Sequence, residues 1–215
     1  MKPLANFDLE LPFWESHRLV IGVDEVGRGA LAGPVHVGAV AFHIHLSDND
    51  ITNILSLGIA DSKLLQPKTR EKLDPLIKQT SLTYSVQSAD VETINKFGIV
   101  NAVEKAAYAA VRTILETLKP TNPIALVDGF IMKKLNGIIE QQAIIKGDQK
   151  SISIAAASII AKVERDALMS SLEDENYYEW AVNKGYGTKI HREGIKKYGV
   201  HPLHRTLFIR KIAAQ

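Results

Sequence analysis

Five apolar residues, LVIGV at 19–23, run without interruption into Asp24 and Glu25, and these lead into Gly27, Arg28 and Gly29. A run that short and that apolar predicts a buried strand. VHVGAVAF at 35–42 predicts a second, so the two form a hairpin with adjacent carboxylates and a glycine-rich turn at its tip. Side by side at the end of a buried strand, two carboxylates repel each other unless a cation neutralises them. The nearest base in the chain is Arg28.

The rest of the chain alternates strand and helix patterns. A helix is expected from Pro67, which suits a first helical turn, to about Ile77, with a loop or short helix over 43–60 before it. A strand is expected over 82–88. Val100, Val103, Ala107, Val111, Ile114 and Leu118 recur at helical spacing over 99–118. Short apolar runs at 124–127 and 143–146 predict strands that lead to Asp128-Gly129 and Gly147-Asp148, and a second long helix covers 152–170. This order predicts an α/β fold with a mixed central sheet flanked by helices and a helical C-terminal extension. The expected parts are an N-terminal extension (1–18), a catalytic domain (19–172) and a basic helical C-terminal region (173–215) packed on it.

Composition narrows the function. The 215 residues include no cysteine, which excludes disulfides, thiolate metal sites and cysteine nucleophiles. No apolar run approaches the ~18 residues of a membrane span, and the acidic residues near the N-terminus do not suit a signal peptide, so a cytoplasmic location with no membrane partner is expected. No apolar seam demands a dimer, and a monomer is expected. Net charge is +2, but residues 184–211 hold eight Lys or Arg against the single acid Glu193, a segment charge of +7. Such a segment suits a polyanion partner; a solvated basic helix would carry the same charges.

The acids beside apolar segments are Asp24, Glu25, Asp128 and Asp166. Carboxylates at strand ends line the crevice of an open α/β sheet, and several converging there make a hard oxygen site for Mg²⁺ or Mn²⁺. Asp166 shares a helix face with Ile159, Val163 and Met169. It fits either a ligand or a salt bridge to Lys162 or Arg165. Two cations about 4 Å apart suffice for phosphodiester hydrolysis without a nucleophilic side chain, and the chain has no G-x-S-x-G elbow. Arg28 is suited to clamp a phosphate, and the glycine loop to approach a sugar hydroxyl, the group that distinguishes RNA from DNA. A metal-dependent phosphohydrolase of small substrates and a non-catalytic duplex-binding module fit the same acids.

With these motifs in view, GVDEVGRGALAGPV at 22–35 resembles the signature of type 2 ribonuclease H, the bacterial ribonuclease HII branch. DSKLL at 61–65, LVDG at 126–129, KGDQKSISIAAASIIAKVERD at 146–166, NKGYGTKIH at 183–191 and HPLHRTLF at 201–208 are similar to the same family in the same order. The resemblance implies a ribonuclease H fold and an Mg²⁺- or Mn²⁺-dependent endonuclease. Its partners would be RNA/DNA hybrids and DNA duplexes containing ribonucleotides, nicked on the 5′ side of the ribonucleotide to leave 3′-hydroxyl and 5′-phosphate ends. It maps the metal ligands to Asp24, Glu25, Asp128 and Asp166, with Asp148 of the KGD motif as the alternative fourth ligand. It maps 2′-hydroxyl reading to Gly27, Arg28 and Gly29, and packing on the neighbouring deoxyribose to Tyr186.

Lys63, Lys146, His191, His204 and Arg205 are candidate phosphate contacts, and Ser62 and Ser158 candidate phosphate or loop-orienting groups. Two segments depart from the family pattern: INKFGIVNAVEKA at 94–106, and Phe130 after Gly129 where a polar pair is usual. His43 and His45, two apart at a strand end, suit surface residues better than a zinc site. Trp14, Trp180, Tyr177 and Tyr178 are expected as core or surface anchors.

Overall fold

A computed structural model describes residues 5–172 and 177–213; the start of the expected C-terminal region, 173–176, lies outside the described residues, as do 1–4 and 214–215. Five strands form one sheet: β1 (Val20–Val26), β2 (Val35–Ala41), β3 (Thr83–Ala89), β4 (Ile124–Asp128) and β5 (Glu140–Ile144), in the order β3-β2-β1-β4-β5. β1 pairs antiparallel with β2, and β2 with β3, whereas β1–β4 and β4–β5 are parallel. The sheet is therefore mixed, as expected.

The helices are α1 (Leu11–Glu15), α2 (Asp48–Ser56), α3 (Pro67–Thr80), α4 (Val91–Leu118), α5 (Ile152–Ser170), α6 (Trp180–Asn183), α7 (Lys189–Tyr198) and α8 (Thr206–Ala213). Side chains alternate across a strand, and the core divides accordingly. Ile21, Val23, Ala125 and Val127 meet α4 on one face, while Val20, Ile124 and Leu126 meet α5 and α3 on the other. α5 lies hard against the sheet at two glycines. A Cβ at Gly22 would stand 2.1 Å from the Ser153 carbonyl carbon, and one at Gly38 would stand 2.2 Å from the Ala157 oxygen.

Two elements differ from expectation, and a third resolves an open one. The fifth strand is Glu140–Ile144 rather than 143–146. As an edge strand it carries polar residues in register with β4, and Lys146, with φ 56°, turns the chain out of the sheet. The helix expected from residue 99 is preceded by another that starts at Val91, capped by the Asp90 carboxylate; the two meet at Gly98, whose φ of 80° breaks the helical path. α2 forms where a loop or short helix was expected, opened by a reciprocal Ser47–Asp50 capping box.

Described N-terminal residues pack into the core. Phe7 and Trp14 pack with Phe42, and Glu10, fully buried, accepts hydrogen bonds from the Ser151 hydroxyl and the Ser153 amide at the start of α5. A third apolar cluster joins Leu31, Ala32 and Met169 to Tyr178, Trp180, Ile195 and Ile209, fixing the C-terminal helices against the β1–β2 turn.

Candidate active site

Parallel pairing of β1 with β4 ends at Val23 and Val127, so Asp24 and Asp128, the next residues, stand side by side where the two strands part. Both follow the strand parity of Val20 and Ile124, on the α5 face. The turn after β5 brings in a third acid. Gly147 donates its amide to Asp128 Oδ1 at 2.6 Å, which seats Asp148 in the same place. Asp24, Asp128 and Asp148 offer oxygens within 4.8 Å of one another. Glu25 has the opposite parity and turns to Arg28, 3.3 Å away; its second oxygen is buried with no hydrogen-bond partner.

Electrostatics follow from this crowding. Burial pushes the Asp24 carboxyl well above the usual carboxylate range, reinforced by the charges of Glu25 and Asp128, against a hydrogen bond from Ser158 and the charge of Lys63. Burial also raises Glu25, with Arg28 opposing, and raises Asp148, with Lys63 opposing. Lys63 Nζ lies 3.3 Å from Asp148 and is itself raised: the charges of Asp148 and Asp24 outweigh its burial, the largest single influence on it. The Lys63 turn is braced at Asp61, which accepts from the Lys63 amide and from Gln149 Nε2. An all-oxygen set of mutually repelling carboxylates, buried at Asp24 and Asp148 and half-buried at Asp128, with an orphaned Glu25 oxygen, fits a hard divalent cation.

Asp24, Glu25 and Asp128 open into a cavity of about 260 Å³ that Gly27, Arg28, Gly29, Lys63, Lys162 and Tyr186 also line. Gly27 has φ 87°, and a Cβ there would lie 2.0 Å from Arg165 Nε. Only glycine fits both the turn and that approach. The Arg28 guanidinium stacks over the Phe130 ring at 4.6 Å. The Tyr186 ring lies 5.5 Å from Lys162 Nζ and 5.4 Å from Arg165 Cζ.

The structure thus brings together Asp24, Glu25, Asp128, Gly27, Arg28, Gly29, Lys63 and Tyr186. It does not bring in Asp166, which lies along α5 between Lys162 (2.6 Å) and Arg70 (3.5 Å); Asp148 takes its place among the acids. His204 and Arg205, expected to touch phosphate, are corrected: both are buried, at 1% and 0% exposure. Arg205 spends its guanidinium on the carbonyls of Gly33, Gly27 and Arg28. His191 is buried as well and shares a 3.0 Å contact with His204. Lys146 is exposed and outside the cavity lining. Sequence reasoning named Lys162 only as a salt-bridge partner of Asp166 and missed its place in the cavity lining. Its spacing one turn after Ser158 was the available signal, because Ser158 meets Asp24.

Comparison with known proteins agrees with this geometry. The family model described as Ribonuclease HII matches residues 21–211. Ribonuclease HII of Caldicellulosiruptor saccharolyticus is 43% identical over 199 residues, covering 92% of this chain and 90% of that one. Ribonuclease HII of Clostridium botulinum is 41% identical over 210 residues, covering 97% and 73%. Among solved structures, ribonuclease H2 from Pyrococcus horikoshii superposes with a TM-score of 0.69 at 26% identity, covering 91% of this chain and 97% of that one. The protein belongs to the ribonuclease HII family and is an endonuclease of the ribonuclease H type.

Proposed function

We propose that this chain cuts the RNA strand of RNA/DNA hybrids and nicks duplex DNA on the 5′ side of an embedded ribonucleotide, using Mg²⁺ or Mn²⁺ and leaving 3′-hydroxyl and 5′-phosphate ends. The observation that carries this reading is the meeting of Asp24, Asp128 and Asp148, the first two of which share one cavity with the Gly27–Arg28–Gly29 turn and Tyr186. The family is divalent-metal dependent. Asp24, Asp128 and Asp148 would hold the cations, with the free Glu25 oxygen as a fourth donor. Bound there, a pair of divalent cations supplies the charge that activates water and stabilises the phosphate and the leaving oxygen.

The chain's own residues do the rest. Gly27 and Gly29 expose backbone close to the acids, where an amide or carbonyl can meet a 2′-hydroxyl, both donor and acceptor. Arg28, held between Glu25 and Phe130, offers its remaining donors to a phosphate. Tyr186 presents a ring against which a deoxyribose can pack, placing the RNA-to-DNA junction over the acids. Lys63 balances the negative charge at Asp148 and stands at the mouth of the cavity, 75% exposed.

The test is cleavage of a DNA duplex carrying one ribonucleotide, with Mg²⁺ or Mn²⁺, beside an all-DNA duplex and a continuous hybrid, with the cut position mapped. Cutting on the 5′ side of the ribonucleotide is expected, and no cutting of all-DNA. Failure to cut either ribonucleotide-containing substrate, or equal cutting of all three, would reject the reading.

A further inference from the structure

α5 carries three polar side chains at four-residue spacing, Ser158, Lys162 and Asp166, of which Ser158 and Lys162 line the cavity and Asp166 lies just beyond it. Ser158 shares a 2.9 Å hydrogen bond with Ser62 and faces Asp24. Lys162 lines the same cavity as the acids, with only 15% of its side chain exposed. An ammonium has three donors, and among the described residues the acceptor found for this one is Asp166 Oδ1, at 2.6 Å. Asp166 is occupied on its other side by Arg70 Nη2. Arg70 in turn donates through Nη1 to the Ser62 and Leu65 carbonyls. Asp166 is thus flanked by two cations and joins α5 to the 61–65 turn.

We propose that Lys162 contacts a backbone phosphate of the substrate beside the RNA-to-DNA junction, and that Asp166 is the positioning residue that aims its ammonium into the cavity. This rests on the nuclease reading above. Lys162 stands on the Tyr186 side of the site, within 5.5 Å of the ring centre, so a strand whose sugar meets that ring carries a phosphate past Nζ. A phosphate's free oxygens would take the donors that Asp166 leaves over, and the partial burial that pulls the Lys162 pKa down also excludes the water that would otherwise screen the contact. An ordinary i,i+4 helix pair would need neither the cavity nor Arg70.

The experiment measures duplex affinity against salt, without cleavage, for the full chain as wild type, Lys162→Met, Lys162→Gln and Lys162→Arg. Losing one phosphate contact lowers the magnitude of the log-affinity against log-salt slope by about 0.9. Lys162→Met and Lys162→Gln are expected to lose that amount and Lys162→Arg to keep the wild-type slope. Asp166→Asn is expected to lower kcat on a lone ribonucleotide roughly tenfold, with Asp166→Glu restoring part of it, while the half-saturating Mg²⁺ concentration stays within about twofold. A wild-type slope in both neutral Lys162 variants would overturn the phosphate contact. An Mg²⁺ requirement that rises in Asp166→Asn as far as in Asp148→Asn would overturn the positioning role. Wild-type protein that fails to nick rejects the nuclease reading instead, so the two failures are distinguishable.

Discussion

Arg205 Nη1 donates to the Gly27 carbonyl at 2.8 Å, closing a span of 178 residues with a bond that lies wholly in the interior. The same guanidinium reaches Arg28 and Gly33, so the loop beside the acids takes its shape from the end of the chain. Burial brings the Arg205 pKa down to about 9, a sign of how little water reaches it. Arg205→Lys keeps a charge but loses the fork that serves three carbonyls. It is expected to destabilise the fold by about 3 kcal/mol, seen as a lowered midpoint in denaturant, and to raise KM for ribonucleotide-containing duplex. An unchanged midpoint and KM would deny the clamp.

Asp24 opposes folding and serves function. Its folded pKa is raised, so the native state binds more protons than the unfolded chain at pH values above the ordinary carboxylate range, and its contribution to stability falls as pH rises through that window. Without divalent cation, Asp24→Asn is expected to be more stable than wild type at neutral pH by about 1–2 kcal/mol. The advantage should shrink as pH falls toward 4. Activity of the same variant, and of Asp128→Asn and Asp148→Asn, should drop by at least about 100-fold. Thermal melts in a chelator, paired with nicking rates, check both halves; a variant less stable than wild type at neutral pH would contradict the first.

Tyr186 should distinguish substrates. Its ring forms one wall of the cavity, and its carbonyl is tied to His191 Nδ1 at 2.9 Å. Because Trp180 Nε1 donates to His191 Nε2 and the His201 amide donates to His204 Nδ1, the two imidazoles fit together only as neutral tautomers, with His204 Nε2–H donating to His191 Nε2. Tyr186→Ala is expected to cost a lone-ribonucleotide duplex roughly tenfold more in kcat/KM than a continuous hybrid, about the worth of one stacked ring. Equal losses on both would remove the junction role.

Phe130, directly after Gly129, carries Arg28 on its face. Such a contact at a partly exposed site is worth about 0.5–1 kcal/mol. Phe130→Ala is expected to raise KM about two- to fivefold with little change in kcat, because Arg28 would have to be ordered on binding. A change confined to kcat would point elsewhere.

Much of this was legible in the chain itself. The strand run at 19–23 placed Asp24 and Glu25, and the run at 124–127 placed Asp128, because a buried strand has a fixed parity and an end that turns and glycines mark. The first part of α4 was not legible from hydrophobic recurrence, since Gly98 interrupts the pattern that begins again after it. Nor was the fifth strand, whose polar residues are tolerated at a sheet edge.

Sequence alone determined that carboxylates cluster at the ends of β1 and β4, with a glycine turn beside them, since strand period and chain breaks are local properties. Tertiary structure decided the rest. The parallel pairing of β5 on β4 hands the Gly147 amide to Asp128 and delivers Asp148, whereas two cations draw Asp166 aside. Close packing of the C-terminal helices also turned Arg205 and His204 from surface groups into interior supports. Spacing offered the Lys162–Asp166 pair as one alternative; that Arg70 joins it, and that Arg205 and His204 are buried, depends on which distant segment reaches a charge and satisfies it.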